Sequence, residues 1–239
     1  MTHPDEVWPV DPDYRERWES IVRVGRQTAI ELDACVVGIA RNACPYMGNT
    51  LALVEQVAAG FRSFRGFVYE NDSTDQTASV LDAFAQRNPW FSVRHDTLGG
   101  EDSRGFERAR TERLARCRNV CLEWVRANAS DTTWTIVLDM DPHGGFDPDG
   151  VFHSIGCLAT ESLHCSGLSA GGMASYSLYA IRKHGDAVPA IAHYDAWAAR
   201  PLCWWNDRRE QIGMGWFSMF LPPVGAPVLP MNSAFGGLA

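Results

Sequence analysis

The sequence predicts an α/β fold, a single domain with a mostly parallel central sheet and helices on both faces. Three observations carry that expectation. Short apolar, partly β-branched runs at 35–40, 66–69 and 90–94 alternate with segments of helical apolar spacing, the pattern of parallel strands joined by crossover helices. Two of these runs stop at acidic or amide side chains, Asn42 and Glu70 to Asp72, where ligands of open α/β sheets bind. A later run, 134–138, breaks off into Asp139-Met140-Asp141, two carboxylates one residue apart.

Composition narrows the function classes. A chain of 239 residues suffices for one large domain with a substantial core, and 46% apolar with 21% charged residues is ordinary for a globular protein. The net charge of -8 disfavours a nucleic-acid backbone or an anionic membrane surface as partner, so a bound phosphate must meet a local cationic cluster. With no run of about 18 apolar residues, no transmembrane helix is expected. The N-terminus lacks the basic start and apolar core of a secretory signal, which predicts a cytoplasmic chain. Seven cysteines (35, 44, 117, 121, 157, 165 and 203) with no C-x-x-C pair argue against a disulfide framework or a structural zinc site.

Residues 1–33 form an arm and a helix, with Trp18, Ile21, Val22 and Val24 near helical spacing, ahead of a domain spanning 34–239. Residues 35–40 are the first strand, ending at Arg41-Asn42. The segment 48–64 places Leu53, Val54, Val57, Ala58 and Phe61 on one helical face, and 66–69 is the second strand. Ser73, Thr74, Asp75 and Thr77 supply cap candidates for the next helix, which carries Val80, Leu81, Phe84 and Ala85. Residues 90–94 are the third strand. No G-x-G-x-x-G or Walker sequence follows any strand, so the dinucleotide and P-loop readings lack their motif.

A polar loop at 97–105 leads into a long helix, 107–127, whose buried stripe is Leu114, Cys117, Cys121, Trp124 and Val125. Arg110 extends that stripe by one turn, and Arg113 and Arg118 flank it. Such arginines lean toward a cleft or snorkel from the helix edge to solvent. The helix feeds the strand that ends at Asp139 and Asp141. Side chains alternate along an extended chain, so these carboxylates share a side while Met140 points the opposite way. The pair suits a hard divalent cation with oxygen ligands and room for substrate phosphates. An acidic strand-to-turn junction is the plainer alternative, since D-x-D arises often by chance. Beyond it, Asp147-Pro148-Asp149 caps a short helix reaching Ile155, and a strand is expected over 175–181. The proline-rich tail suits extended, turn-rich structure.

Four pieces in order resemble the GT-A class of nucleotide-sugar glycosyltransferases, and most specifically the cryptococcal capsule-type mannosyltransferase family, family 69, with its microbial relatives. They are Tyr69-Glu-Asn-Asp-Ser-Thr-Asp75-Gln-Thr77, Arg110-Thr-Glu-Arg-Leu-Ala-Arg-Cys-Arg118-Asn119, Leu138-Asp-Met-Asp141, and Tyr194-Asp195-Ala-Trp197-Ala-Ala-Arg200. Asn232-Ser-Ala-Phe235-Gly-Gly237 is a weaker fifth. The similarity spans 36–239 and implies a GT-A-like domain. One departure is the full Asp-Met-Asp, where the capsule family commonly shows an Asn-Asp motif.

The resemblance implies a metal-dependent enzyme that moves a hexose, mannose in that family, from a nucleoside diphosphate sugar (GDP- or UDP-linked) to a glycan or lipid-linked acceptor. It implies that Glu70, Asp72 and Asn42 hold the base and ribose, that Arg110 and Arg118 contact phosphate or sugar, and that Asp139 and Asp141 hold Mn²⁺ or Mg²⁺ bridged to the diphosphate. Asp195 and Arg200 fall in the sugar or acceptor pocket. There Asp195 is a general base, a sugar-hydroxyl acceptor or a capped structural residue. His143 and His193 are surface or hydrogen-bonded histidines, or lie near the metal, and Trp197, Trp204 and Trp205 stack on a sugar or pack the core. Two rival functions remain at this level. A sugar nucleotidyltransferase needs a glycine-rich loop after strand one, which Arg41-Asn-Ala-Cys-Pro45 lacks, and a non-catalytic nucleotide- or sugar-binding module keeps the fold without turnover.

Overall fold

The structure, a computed structural model, describes residues 9–99, 108–142, 145–161, 167–168, 173–177, 189–193, 200–201, 224–228 and 231–233. After a 3-10 turn at Pro12–Tyr14 come α1 (Arg15–Ala29), β1 (Asp33–Ala40), α2 (Met47–Ala58), β2 (Ser63–Asn71), α3 (Thr77–Arg87), β3 (Phe91–Asp96), α4 (Arg108–Asn128), β4 (Trp134–Val137) and α5 (Pro148–Thr160). Four parallel strands pair in the order β3-β2-β1-β4, so the α/β expectation holds. Two small antiparallel pairs follow, β5 (Met173–Ser177) with β6 (Pro189–His193), and β7 (Arg200–Pro201) with β8 (Met231–Ser233).

The period-two alternation of the strands decides which helix each side chain meets. Val36 of β1, Phe64 and Val68 of β2, and Ile136 with Leu138 and Met140 after β4 point to one face, where Val54, Leu81, Phe84, Val151 and Phe152 complete the larger core. The intervening residues Val37, Phe67 and Tyr69 point to the other face and meet Cys117 and Cys121 of α4. There Phe67 stacks on Trp124 with centroids 5.1 Å apart. Helices therefore cover both faces, α2, α3 and α5 on one and α4 on the other.

The helix preceding the sheet packs along α5 through two glycines. A Cβ at Gly25 would overlap the Phe152 carbonyl, and one at Gly156 the Ile21 carbonyl, so the backbones meet where no side chain fits. Trp18 stacks on His153 at 4.1 Å, and Arg17 bonds to Glu161 and to the Gly225 carbonyl, the latter at 3.0 Å.

Several boundaries differ from the sequence reading. The helix expected over 48–64 stops at Ala58, because Gly60 turns the chain against the Phe152 ring and Ser63 opens β2. Phe61 and Phe64 then meet each other at 5.5 Å in the core instead of lining a helix. β3 continues two residues past Arg94, held by β2 through Glu70 opposite His95 and Asn71 opposite Asp96. β4 ladder pairing ends at Val137, followed by a single bond from the Leu138 N–H to the Val37 carbonyl at 3.0 Å. Of the strand expected over 175–181, the first three residues belong to β5, which starts at Met173, and 178–181 lie outside the described residues; β6 was not foreseen.

Candidate functional site

Parallel order brings the C-terminal ends of β1, β2 and β4 to one edge of the sheet, where crossover connections open a place for ligands. β1 runs out into Arg41 and Asn42, β2 into Asp72 to Asp75, and β4 into Asp139 to Asp141. Of the sequence-predicted candidates, Asn42, Glu70, Asp72, Arg110, Arg118, Asp139 and Asp141 lie at this edge, divided between its two faces.

On the α4 face, the expected parity holds past the end of the ladder. Met140 is buried with its sulfur against Gly38, so Asp139 turns the opposite way, toward α4. Its carboxylate lies 3.7 Å from Arg118 Nη2, an ion pair longer than a hydrogen bond, with the side chains 30% and 46% exposed. Asp141 is exposed and Asp139 half-buried. The chain beyond is pinned by the Gly145 N–H on the Pro142 carbonyl at 3.1 Å, and Gly145, at φ 78°, sits against Asn49 and Leu53 of α2. Arg110 is exposed and Arg113 half-buried on the first turns of α4, the end of the helix that lies at this edge. Asn71 faces the same way and donates from Nδ2 to Cys117 Sγ at 3.5 Å. Burial pushes the Cys117 thiol up, and Cys121 to about 11, so both stay protonated, packed thiols.

Glu70 faces the other side. It is 4% exposed, and both carboxylate oxygens meet protein groups: Oε1 accepts from the Ser73 N–H at 2.9 Å and Oε2 lies 2.7 Å from His95 Nδ1. The opposite edge of that ring, Nε2, lies 3.0 Å from Asp82 of α3. Arg118 and Asp139 thus come together, whereas Glu70 belongs to the scaffold beneath the β2 loop. His95 escaped the sequence reading because it lies one residue past the expected end of β3; the signal that finds it is the parallel register opposite Glu70.

The β1 and β2 loops are tied to each other. Asn42 and Asp72 both adopt left-handed backbone conformations, φ 50° and 53°, which asparagine and aspartate tolerate better than most residues. The Asn42 N–H donates to Ser73 Oγ at 3.0 Å, and Asn42 Oδ1 accepts from the Thr74 N–H at 2.7 Å. Asp72 Oδ1 accepts from the Leu98 and Gly99 N–H groups at 3.1 and 3.2 Å, tying the β2 end to the segment after β3. Asp75 accepts from the Cys44 and Thr77 N–H groups at 3.0 and 2.9 Å, and buried Thr77 accepts from the Ala43 N–H at 2.8 Å. Burial opposes a charge on Asp75, yet these donors hold its carboxyl below its ordinary value. Asp75 is therefore the residue among the cap candidates that satisfies the start of α3.

Among the described residues no group of three or more His, Cys, Asp or Glu could by itself hold a metal ion. The donor set at the edge is Asp139, turned toward α4, with exposed Asp141 two residues on. That is the habit of Mg²⁺ or Mn²⁺ bound by one or two carboxylates and completed by water and substrate phosphates, so the residues fit such an ion. Asp195 and the Arg200 side chain lie outside the described residues, as do His143, Trp197, Trp204, Trp205 and Phe235; Arg200 is described as backbone in β7.

No family model and no curated protein matches the chain. Among solved structures it is similar to mannosyltransferase PcManGT from Pyrobaculum calidifontis in complex with GDP-Man and Mn²⁺, at 14% identity and a TM-score of 0.36, over 63% of this chain and 44% of that one. The chain thus spans less than half the length of that structure, and a likeness so slight carries neither fold nor function across. What the fold and edge define by themselves is an α/β protein whose parallel sheet ends in a carboxylate pair beside an arginine-bearing helix. Among the described residues no helix is long and apolar enough to cross a membrane.

Proposed function

We propose that the chain is a metal-dependent glycosyltransferase of the GT-A kind, moving a hexose from a GDP- or UDP-linked donor to a glycan or lipid-linked acceptor. The observation that supports this best is the Asp139/Asp141 pair just past the C-terminal end of β4, with Asp139 turned away from core-bound Met140 and 3.7 Å from Arg118. Mannose as the sugar rests on the motif resemblance, as does the assignment of 34–239 as one GT-A-like domain.

In this reading Asp139 and Asp141 hold Mn²⁺ or Mg²⁺. A bound divalent ion would neutralise the charge that gathers on the diphosphate as the bond to the sugar breaks. Arg118 and Arg110 bind phosphate oxygens, for which a planar guanidinium can donate two hydrogen bonds at once. Asn42 and Asp72, on the joined β1 and β2 loops, face the base and ribose, while Glu70 shapes that surface from beneath. The bond from the sugar's anomeric carbon to the diphosphate oxygen breaks, one to the acceptor oxygen forms, and the acceptor's proton passes to a carboxylate. Asp195 is the carboxylate proposed for that role, and Arg200 the second residue proposed for catalysis.

Isothermal titration of GDP- and UDP-sugars with and without Mn²⁺ tests the reading. Metal-dependent binding is expected, and its absence for every nucleotide sugar would overturn it. Release of nucleoside diphosphate by the wild type but not by Asp141→Ala separates an enzyme from a binding module, which would bind donor with no metal-dependent release.

A further inference from the structure

We infer that His95 is a positioning residue that holds the β1 and β2 loops in their nucleotide-facing shape, and that it does so as an imidazolium bridging Glu70 and Asp82. The inference rests on the proposed nucleotide reading for its ligand, but its geometry stands apart from it. An ionised carboxylate accepts hydrogen bonds and donates none. A neutral imidazole offers one N–H and one lone pair. With Nδ1 2.7 Å from Glu70 and Nε2 3.0 Å from Asp82, both ring nitrogens face carboxylates, and only the doubly protonated ring satisfies both.

The consequence reaches the site by a continuous chain of bonds. Glu70, fixed by His95, accepts from the Ser73 N–H; the Ser73 hydroxyl accepts from the Asn42 N–H; Asn42 Oδ1 accepts from the Thr74 N–H. Two of the residues so connected flank or adopt left-handed backbone, Asn42 itself and Asp72 beside Ser73, a conformation that persists only when its surroundings enforce it. Glu70 is 4% exposed, so a neutral ring that keeps its proton on Nδ1 still bonds Glu70 but no longer offsets the buried charge, and its bare Nε2 faces Asp82. From β2 the charged group facing the ring is Glu70, and from α3 it is Asp82. On β3 the flanking Arg94 and Asp96 point to the other face, where Asp96 accepts from the Tyr69 hydroxyl at 2.9 Å and Arg94 lies over the Tyr69 ring. Burial works against the charged ring, but the bonds to Glu70 and Asp82 outweigh it and raise the imidazole above its ordinary value. A raised histidine stabilises its arrangement fully at low pH and loses that contribution as pH rises through the folded-state value.

The test uses the full chain, ¹⁵N-labelled, with three readouts across pH 6 to 9: the His95 ring nitrogens by NMR, protection of the Asn42, Ser73 and Thr74 amides from exchange, and affinity for GDP and UDP in the presence of Mn²⁺. Expected is a doubly protonated ring near neutrality, with amide protection and nucleotide affinity falling together as the ring titrates. Asp82→Asn changes an exposed side chain and moves all three midpoints to lower pH. His95→Gln weakens nucleotide binding by roughly tenfold near pH 6.5 and flattens its pH profile, the loss of about one charge-assisted hydrogen bond. A ring that is neutral at pH 6.5, or loop amides indifferent to its titration, would overturn the inference. If no nucleotide binds at any pH while ring and amides behave as expected, the loop device stands and the nucleotide reading falls.

Discussion

The two edges of the parallel sheet use the same kinds of charged residue in opposite ways. At the N-terminal edge the pairs are closed. Asp33 accepts from Arg62 Nε and Nη2 at 2.9 and 2.7 Å and from Ser63 Oγ at 2.8 Å, and Arg65 grips Asp131 with both terminal nitrogens at 2.6 and 2.7 Å. Arg62 holds the Asp33 carboxyl down at about 2. At the C-terminal edge Arg118 stands 3.7 Å from Asp139, and Asp141 is exposed. A guanidinium that closes its fork on a carboxylate makes two directed bonds to it, whereas the Arg118–Asp139 pair is longer than a hydrogen bond. In the proposed reading the first edge serves the fold and the second a ligand.

Both edges hang on one platform, and the largest expected effect comes from breaking it. Gly156→Val would drive a side chain into the Ile21 carbonyl, and backbone cannot step aside as a flexible side chain could. Overpacking of that kind costs about 3 kcal/mol or more. A thermal melt should show α1 and α5 losing their contact and the whole domain destabilised, taking both edges with it. A melting temperature unchanged from the wild type would mean that the helix before β1 is dispensable to the sheet.

The next effect separates the edges. Asp139→Asn with Asp141→Asn should lower Mn²⁺-dependent nucleotide affinity by about a hundredfold or more, since even outer groups around a metal cost tenfold to a hundredfold. Stability should hardly move, because a half-exposed ion pair at this separation contributes little. A large loss of stability with affinity retained would make the carboxylates structural and reverse the contrast between the edges.

A third measurement removes a confounding pH signal that comes from neither edge. His153, 7% exposed beneath Trp18, is held down at about 4, first by burial and then by the charge of Arg17. The unfolded chain protonates this residue near the ordinary imidazole value, so its contribution is complete above that value and is lost as pH falls from about 6.5 toward 4. His95 carries the opposite sign. Thermal melts at pH 4.5 and 7 should therefore show an acid loss that His153→Phe reduces, and an undiminished loss in that variant would move the cause to the edges.

Much of the sheet was legible because β-branched runs and helical spacing are local signals, and β1 through α5 were recovered in order. The misplaced ends share a physical origin. Phe61 and Phe64 continue the helical apolar spacing of α2, so nothing local distinguishes a longer helix from a turn at Gly60 followed by a strand. His95 and Asp96 are too polar to look like a strand, and β2 keeps them in one. The opposite parity of Asp139 and Met140 was readable from alternation alone. The parity of Glu70 relative to Asp139 was not, since it depends on how β1 and β2 align, and that register turns Glu70 toward α3 and Asn71 toward α4. Sequence could name the polar residues at the edge, but only pairing could divide them between faces.

The smallest expected effect tests the closed edge itself. Arg62→Met removes the fork from Asp33 but leaves Ser63 Oγ on the carboxylate and water around it, because the Arg62 side chain is 59% exposed. Exposed pairs lose most of their attraction to solvent screening, so the melting temperature at neutral pH should fall only slightly, and less still in high salt. The acid limb should show where that small difference disappears. A carboxyl held at about 2 contributes fully above its ordinary value of 3.8 and loses that contribution as pH falls through 2, so wild type and variant should differ near pH 4 and converge below 2. Nucleotide affinity should be the same in both. If Arg62→Met weakened nucleotide binding as strongly as the Asp139/Asp141 change, the two edges would be coupled through the length of β1, and the division of labour between them would have to be abandoned.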